Sequence, residues 1–171
     1  MDSDAFTLYK LIILYILDKV DFPLTNAQIS NIILNLNYTN YFNIQYSISE
    51  LIDAEFINSE RIGTKTYYRI SNLGQETLSF FDNMISPTIQ EELTKYLKDH
   101  QFSLRDEVST LSEYFEEREN NYIVRLRVVE QNEPIIDLNI SVPSEEDAKN
   151  ICNNWSEKSQ QIYAYILTNL L

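Results

Sequence analysis

The sequence has very few of the residues on which most catalytic and cofactor sites depend. Among its 171 residues are two glycines, one cysteine and one histidine. Gly63 and Gly74 stand apart, so no glycine-rich loop can cradle a phosphate group. His100 and Cys152 alone cannot supply the ligands of a usual zinc site, and a single cysteine cannot form a disulfide within the chain. We therefore expect no enzymatic activity, no catalytic residue, no metal and no cofactor.

Long apolar runs and a basic leader are also missing. The longest apolar run, residues 11–17, ends at Asp18 and is much shorter than a membrane span. The N-terminal sequence MDSDAF begins with acids, whereas a secretory leader begins with basic residues. Together with the single cysteine, these features predict a cytoplasmic protein that does not enter a membrane. Abundant Asn, Ile and Tyr beside scarce Ala and Gly favour an AT-rich, bacterial genome as the source.

Positive charge is scarce. The chain has 13 Lys and Arg against 26 Asp and Glu, which gives a formal net charge of −13. The first 86 residues contain five cations and ten acids, and the remainder is acidic as well. Nucleic-acid-binding domains usually carry a strongly basic surface. Neither half of this chain has that composition, so binding to nucleic acid would need cations concentrated in one place.

What the first 86 residues do contain is a series of amphipathic segments. Apolar spacing predicts a helix over residues 6–20. Thr25 and Gln28 form a capping-box pattern that opens a second helix, and a third is expected from Thr39 or Asn40 to Ala54. Two strands then flank a turn at Gly63-Thr64, and a capped fourth helix extends to about residue 84. This order is typical of a winged helix-turn-helix domain with a two-stranded wing.

The third helix occupies the position of a recognition helix, and its two faces differ. At helical spacing one side carries apolar residues that we expect in the core: Tyr41, Ile44, Ile48, Leu51 and Ile52. The opposite side carries Thr39, Phe42, Asn43, Tyr46, Ser49, Glu50 and Asp53. No Lys or Arg lies on this helix. If the helical wheel is rotated from this assignment, Phe42 or Tyr46 belongs to the core instead.

The second half of the chain changes from helical to two-residue periodicity. Ser86-Pro87 predicts the start of a fifth helix over residues 88–100. Residues 106–118, 122–129 and 135–142 alternate as three antiparallel strands, with turns at Asn120-Asn121 and at residues 131–134. Ser144 then caps a long final helix. We therefore expect an α+β chain with a winged helix-turn-helix domain at 1–86, a connecting helix at 87–104 and an α+β domain at 105–171.

Several stretches resemble a known family. LIILYILDKVDFPLTNAQIS and YTNYFNIQYSISELID are similar to the opening of bacterial domain of unknown function 4364. YIVRLRVVE, PIIDLNISVPS and AKNICNNWSEKSQQIYAYI are similar to its C-terminal part. The resemblance covers nearly the whole chain, and PLTNAQI, NYF and ICNNW are its more specific stretches. It implies a winged-helix N-terminal region and a role in transcriptional regulation, but it implies no particular catalytic or binding residue.

Two hypotheses of function follow from the residues. In the first, the chain is a dimeric regulator that binds double-stranded DNA, with Arg61, Lys65 and Arg69 of the wing on phosphates. Asn43 and Tyr46 would then lie near the bases. Lys65, Tyr67 and Arg69 share one strand face in this reading, with an aromatic ring between two charges. The alternative for this strand is a solvated surface paired with Glu55 or Glu60.

The second hypothesis is an acidic protein-interaction module that keeps the winged-helix shape. Phe42, Tyr46 and Glu50 would bind the partner, since aromatic side chains are favoured in protein interfaces. We also expect a homodimer through the fifth helix, the last helix or both, because the last helix has more apolar surface than one small sheet can cover. Arg125 and Arg127 are expected in cross-strand ion pairs, and Trp155 and Cys152 in the core.

Overall fold

The structure is a computed structural model that describes residues 3–131 and 133–171. The MDSDAF start is therefore described only from its third residue, and Asn132 of the predicted 131–134 turn lies outside the described residues. In chain order the helices and strands are α1 (Ser3–Asp18), β1 (Leu24–Thr25), α2 (Asn26–Asn35), α3 (Tyr41–Asp53), β2 (Ile57–Ile62), β3 (Lys65–Ile70), α4 (Asn72–Phe81), α5 (Pro87–Ser109), β4 (Thr110–Arg118), β5 (Asn121–Glu130), β6 (Glu133–Val142) and α6 (Glu145–Leu170).

The chain forms two compact units, each with one three-stranded sheet. The first unit contains the described residues up to Arg61 together with Lys65–Leu104. The second contains Arg105–Leu171 and the hairpin turn Ile62–Thr64. This confirms the predicted α+β class, with a small antiparallel sheet and a long C-terminal helix in the second half. Within the described residues, no helix combines the length and the apolarity that crossing a membrane requires.

The first unit is built around α1, whose residues 11–17 are all buried. This helix contacts α3, α4 and β3. The α2 helix begins as predicted, because the Thr25 hydroxyl accepts a hydrogen bond from the backbone N–H of Gln28 and the Gln28 side chain accepts one from the N–H of Thr25. This reciprocal pair satisfies two donors that a helix start leaves without intrahelical partners.

The first sheet has three strands in the order β1-β3-β2, so the prediction of a two-stranded wing was incomplete. The short strand β1 pairs antiparallel with β3, with Leu24 opposite Tyr68 and Thr25 opposite Tyr67. Two residues are too few to show the alternation by which a strand is recognised in a sequence. As a consequence β3 is the central strand, and both of its tyrosines are buried.

The fifth helix is longer than predicted. It extends through Ser109, so residues 106–109 are helical and β4 begins only at Thr110. Leu104 and Val108 are buried and continue the helical spacing of Leu93 and Leu97. The part of α5 that belongs to the first unit is held there by two hydrogen bonds. The Tyr15 and Thr94 hydroxyls lie 3.0 Å apart, and Gln28 Nε2 donates to the carbonyl oxygen of Leu104 at 3.0 Å.

The second unit is an antiparallel meander in the order β4-β5-β6, covered on one face by α6. The predicted alternation is confirmed, since Val124, Leu126 and Ile136 are buried beneath the helix. The β4–β5 turn lies at residues 119–120, one residue earlier than predicted, and Asn120 has φ 56°. Ser144 caps α6 as expected, because its hydroxyl accepts a hydrogen bond from the backbone N–H of Asp147.

Candidate nucleic-acid interface

The α3 helix presents an apolar face to the core and an aromatic face to solvent. Ile44, Ile48 and Leu51 are buried, as predicted. Phe42 is 83% exposed and Tyr46 is 49% exposed, so both aromatic side chains lie on the outer side that the helical wheel assigned to them. Large aromatic side chains at this exposure are candidates for contact with another molecule.

Tyr41 does not lie in the core. The prediction was wrong at this residue, whose side chain is 50% exposed. It is the first residue of α3, and its ring lies edge-on to Phe42 with the centroids 6.3 Å apart. A residue in the first turn projects beyond the neighbouring helices that cover the middle of α3, so helical spacing alone does not guarantee its burial. Tyr41 and Phe42 together enlarge the exposed aromatic surface at the start of the helix.

A polar network fixes α3 against α2. The side-chain amides of Gln45 and Asn26 exchange two hydrogen bonds of 2.8 and 2.9 Å. Gln45 also donates to the Ser30 hydroxyl at 3.2 Å, and that hydroxyl donates to Asn26 at 3.3 Å. Three partly buried side chains from two helices thus satisfy one another's hydrogen-bonding groups. This network restricts rotation and sliding of α3 against α2. Sequence analysis missed this network, since no spacing rule relates residues 26 and 45.

Asn43 lies in the first turn of α3 and is half-buried. Its side-chain Nδ2 donates to the Thr39 hydroxyl at 2.9 Å. Its backbone N–H donates to the Asn40 side chain, which caps the helix. The side chain is therefore held in place by Thr39. Asparagine can recognise adenine by donating and accepting at the same time, and such recognition requires an oriented amide.

The charges on α3 are acidic. Glu50 forms an ion pair with Lys10 of α1, with Nζ and Oε2 3.8 Å apart, and Asp53 is exposed. The Tyr46 ring contacts Phe6 of α1 edge-on, with the ring centroids 5.1 Å apart. The outer surface of α3 is consequently aromatic and weakly acidic. Any neutralisation of phosphate in this unit has to come from other elements.

The β2–β3 hairpin carries three exposed cations of the first unit. Arg61, Lys65 and Arg69 are all exposed. Lys65 forms no salt bridge with a carboxylate of residues 3–131 or 133–171. Partial burial lowers the pKa of the Arg69 guanidinium, while the nearby carboxylates of Glu60 and Asp21 oppose that shift. Of the two cations on β3, Arg69 therefore has acidic neighbours, whereas the charge of Lys65 is less balanced by carboxylates.

The aromatic residue between these two cations is not available to a ligand. Tyr67 is only 5% exposed, so the prediction of a mixed basic and aromatic strand face was wrong. The pairing of β3 with β1 makes β3 the central strand and places Tyr67 opposite Thr25, which is also buried. Lys65 and Arg69 remain at the surface on either side of it. The exposed face of β3 is basic without being aromatic.

The arginines of the second sheet are engaged in ion pairs, as predicted. Arg125 binds Asp137 through two hydrogen bonds, Nε to Oδ1 at 3.0 Å and Nη2 to Oδ2 at 2.6 Å. Arg127 Nη2 donates to Glu113 Oε1 at 3.1 Å. Both pairs are diagonal across neighbouring strands of the sheet. These guanidinium groups already have planar anionic partners, so they do not form an open anion site.

The remaining candidates of the second unit belong to its interior. Trp155 is 2% exposed, and its indole N–H donates to the carbonyl oxygen of Arg127 at 3.1 Å. Cys152 is half-buried, and burial raises the pKa of its thiol. Both observations agree with a packing role for these side chains. The part of the chain that the structure describes contains no group of three or more His, Cys, Asp or Glu side chains placed to hold a metal ion.

Comparison with known proteins identifies a family but no individual relative. No curated protein and no solved structure matches the chain. The sequence model of a family described as Domain of unknown function (DUF4364) matches residues 9–170. The match extends from α1 to the end of α6 and therefore includes α3, the hairpin and the whole second sheet. It confirms the resemblance found in the sequence, and the chain belongs to the DUF4364 family.

Proposed function

We propose that the first unit is a winged helix-turn-helix domain and that the chain is a DNA-binding transcriptional regulator that acts as a homodimer. The order of α1, α2 and α3 followed by a hairpin supports this assignment, with α3 as recognition helix and the hairpin as wing. The observation that carries the proposal is the concentration of exposed cations on the hairpin. Three of the five Lys and Arg among the first 86 residues are Arg61, Lys65 and Arg69.

In this proposal the wing and the helix have separate roles. The wing cations bind phosphates, which positions the domain without reading the sequence. The first turns of α3 enter the major groove, where recognition helices contact base edges with their N-terminal residues. Asn43 then hydrogen-bonds an adenine edge, while Phe42 and Tyr46 contact thymine methyl groups. The network around Gln45 supports this role by fixing the position of α3 on α2.

The net charge of −13 weakens this binding without forbidding it. Repulsion between exposed charges is largely screened beyond about 8 Å at physiological salt. Carboxylates far from the wing therefore contribute little to the local interaction with phosphate. Binding to DNA of arbitrary sequence depends almost wholly on the phosphate contacts, so it should be unusually weak in a protein with so few exposed cations.

A selection from a pool of randomised duplexes tests the proposal. At low salt the wild-type protein should retain duplex DNA and enrich a preferred sequence. Asn43→Ala should change the enriched sequence, whereas Lys65→Ala should weaken retention of every duplex. Lys149→Ala is the matched control, because it removes the same charge from α6 of the second unit and should alter neither result. Failure of the wild-type protein to retain any duplex at low salt would reject DNA binding.

A second candidate function is the binding of a protein partner through α3. It is favoured by the 83% exposure of Phe42 and the 49% exposure of Tyr46 on a helix without a single cation. Glu50 and Asp53 at the edge of this surface suit a partner with basic residues around an apolar centre. Under this alternative, Phe42→Ala and Tyr46→Ala abolish binding to that partner, and Lys65→Ala has no effect on it.

A further inference from the structure

The last three turns of α6, residues 160–171, expose far more apolar surface than the rest of this helix. Ala148, Trp155 and Ser159 are buried on the side that faces the sheet, whereas Tyr163 and Ile166 beyond them are half-buried. Tyr165 is 70% exposed and Leu170 is 79% exposed. The exposed apolar side chains of this segment are Ile162, Tyr165, Leu167, Leu170 and Leu171.

Apolar residues surround this part of the helix instead of forming one stripe. At about 100° per residue, they cover roughly two thirds of the circumference of residues 160–171. A helix that faces one sheet needs a single apolar stripe, and one that is apolar nearly all round is normally buried on several sides. The second sheet covers only the side that carries Tyr163 and Ile166. The remaining apolar surface requires another occupant.

Charge indicates which occupant suits this surface. Residues 159–171 include no Asp, Glu, Lys or Arg, although the chain as a whole has a net charge of −13. Two copies of such an acidic protein repel each other wherever charged faces meet. A two-fold interface is formed by the same surface patch of both copies. A patch without charged residues therefore avoids this repulsion.

The exposed surface of α3 fits a second copy less well. Glu50 and Asp53 lie at its edge, and a two-fold interface there would bring like carboxylates together. An anionic lipid surface is also disfavoured for residues 160–171, because interfacial helices of that kind carry Lys and Arg on their polar face and this segment has neither. Neither objection applies to contact between two copies of residues 160–171.

We propose that residues 160–171 of α6 pair with the same residues of a second copy across a two-fold axis. This inference names the interface of the homodimer that the proposed function assumes. It places Tyr165 and Leu170 of each copy in the contact, on either side of Ile162 and Ile166, because positions 165 and 170 lie about 140° apart around the helix. The C-terminal turns of α6 thereby bury apolar side chains that the sheet of their own chain leaves exposed.

Light scattering coupled to size-exclusion chromatography, without DNA, tests this proposal. The wild-type chain at micromolar concentration should have a mass of about 40 kDa, twice the 20.2 kDa of one chain. Tyr165→Glu/Leu170→Glu and Tyr165→Lys/Leu170→Lys should each have about half the wild-type mass, because like charges then face each other. Mixing the two variants should restore the dimer, since the opposite charges pair across the interface.

The control variant is Phe80→Glu/Phe102→Glu, which replaces two aromatic side chains that are 77% and 85% exposed on α4 and α5. It should remain dimeric. A wild-type mass of one chain, or variants of Tyr165 and Leu170 that stay dimeric alone, would overturn the proposal. If the wild-type monomer instead bound phosphatidylcholine vesicles, the surface would be assigned to lipid. Because DNA is absent and Lys65→Ala should leave the mass unchanged, this result is independent of DNA binding.

Discussion

The two three-stranded sheets carry their cations in different ways. In the second sheet Arg125 and Arg127 lie diagonal to carboxylates of the neighbouring strands, and each forms an ion pair at 3.1 Å or less. In the first sheet Lys65 lies on β3 without a salt bridge to any carboxylate of residues 3–131 or 133–171. A cation on a strand is therefore not in itself a candidate phosphate ligand. The strand register decides whether a carboxylate of a neighbouring strand already pairs with the cation.

The sheets also differ in how they are covered. The second sheet depends on one helix, which inserts Trp155 into the core and bonds it to the Arg127 carbonyl oxygen. In the first unit several helices share the core, among them α1, α2 and α3, and strand β1 pairs with the central strand β3. Loss of one large side chain should consequently harm the second unit more than most single changes harm the first.

The largest effect is expected for Trp155→Ala. Truncation of a buried aromatic side chain costs about 3–5 kcal/mol, because it leaves a cavity and removes apolar burial. Urea denaturation followed by circular dichroism should show this loss. Trp155→Phe keeps most of the ring and removes the N–H, so it should cost clearly less. Equal losses for both variants would contradict the assignment of packing as the main contribution.

Gly74→Ala should give the next largest loss, this time in the first unit. A Cβ at residue 74 would overlap the carbonyl oxygen of Phe56, because α4 approaches the chain closely at this point. Overpacking of this kind typically costs about 1–3 kcal/mol. Gln75→Ala on the exposed side of the same helix is the control and should have little effect. A stable Gly74→Ala protein would show that α4 can move away from Phe56 without loss.

Ser47→Ala should change stability by about 1 kcal/mol, in the favourable direction. Ser47 is fully buried in α3, and its hydroxyl has no hydrogen-bond partner among the described residues. Removing a buried polar group without a partner relieves a desolvation cost. A raised midpoint of urea unfolding is the expected result. A clear loss of stability would mean that the hydroxyl makes a bond within the core.

The smallest effect concerns the exposed ion pair of Arg125 and Asp137. Hydrogen bonds from Arg125 lower the pKa of the Asp137 carboxyl below the ordinary value of an aspartate. The pair therefore stabilises the fold above the unfolded-state pKa of Asp137, and that contribution is lost as the pH falls through the lowered folded-state pKa. Arg125→Ala should reduce the free energy of unfolding near neutral pH and have less effect in strong acid.

Lys65→Ala is the matched control for this pH dependence, since it removes one strand cation from the other sheet. Lys65 forms no salt bridge with a carboxylate in the described part of the chain, so no such protonation should change its contribution. The change in unfolding free energy caused by Lys65→Ala reports the effect of losing one positive charge. When it is subtracted from the change caused by Arg125→Ala, the difference should still depend on pH. Identical pH profiles for the two variants would remove the distinction between the sheets.

Sequence patterns predicted the features that depend on neighbouring residues. The capping box of Thr25 and Gln28, the cap at Ser144 and the alternation of β5 and β6 were confirmed because each is set within a few residues. The diagonal ion pairs of Arg125 and Arg127 were also predictable, since the strand order implied which acids lie beside them. Within the candidate site, helical spacing correctly placed Phe42 and Tyr46 on the outer side of α3.

The features that sequence analysis missed depend on contacts distant in the chain. Strand β1 has two residues and exists only through its pairing with β3, which places Thr25 opposite Tyr67. The bond between Asn26 and Gln45 likewise arises from the packing of two helices. At residues 106–109, acidic and apolar residues fit a strand as well as a helix. There the buried spacing of Leu104 and Val108 favours the helix.

The salt dependence of DNA affinity tests the central claim most directly, because it counts the phosphates that the protein neutralises. Three wing cations per chain give roughly six contacts in a dimer, so the slope of log affinity against log salt should be near −5. Lys65→Ala/Arg69→Ala should leave roughly two contacts and a slope near −2. The control Arg125→Ala/Lys149→Ala removes equal charge from the second unit and should keep the wild-type slope. Equal slopes for the wild type and the wing variant in a fluorescence-anisotropy titration would contradict the assignment of the hairpin as the phosphate-binding element.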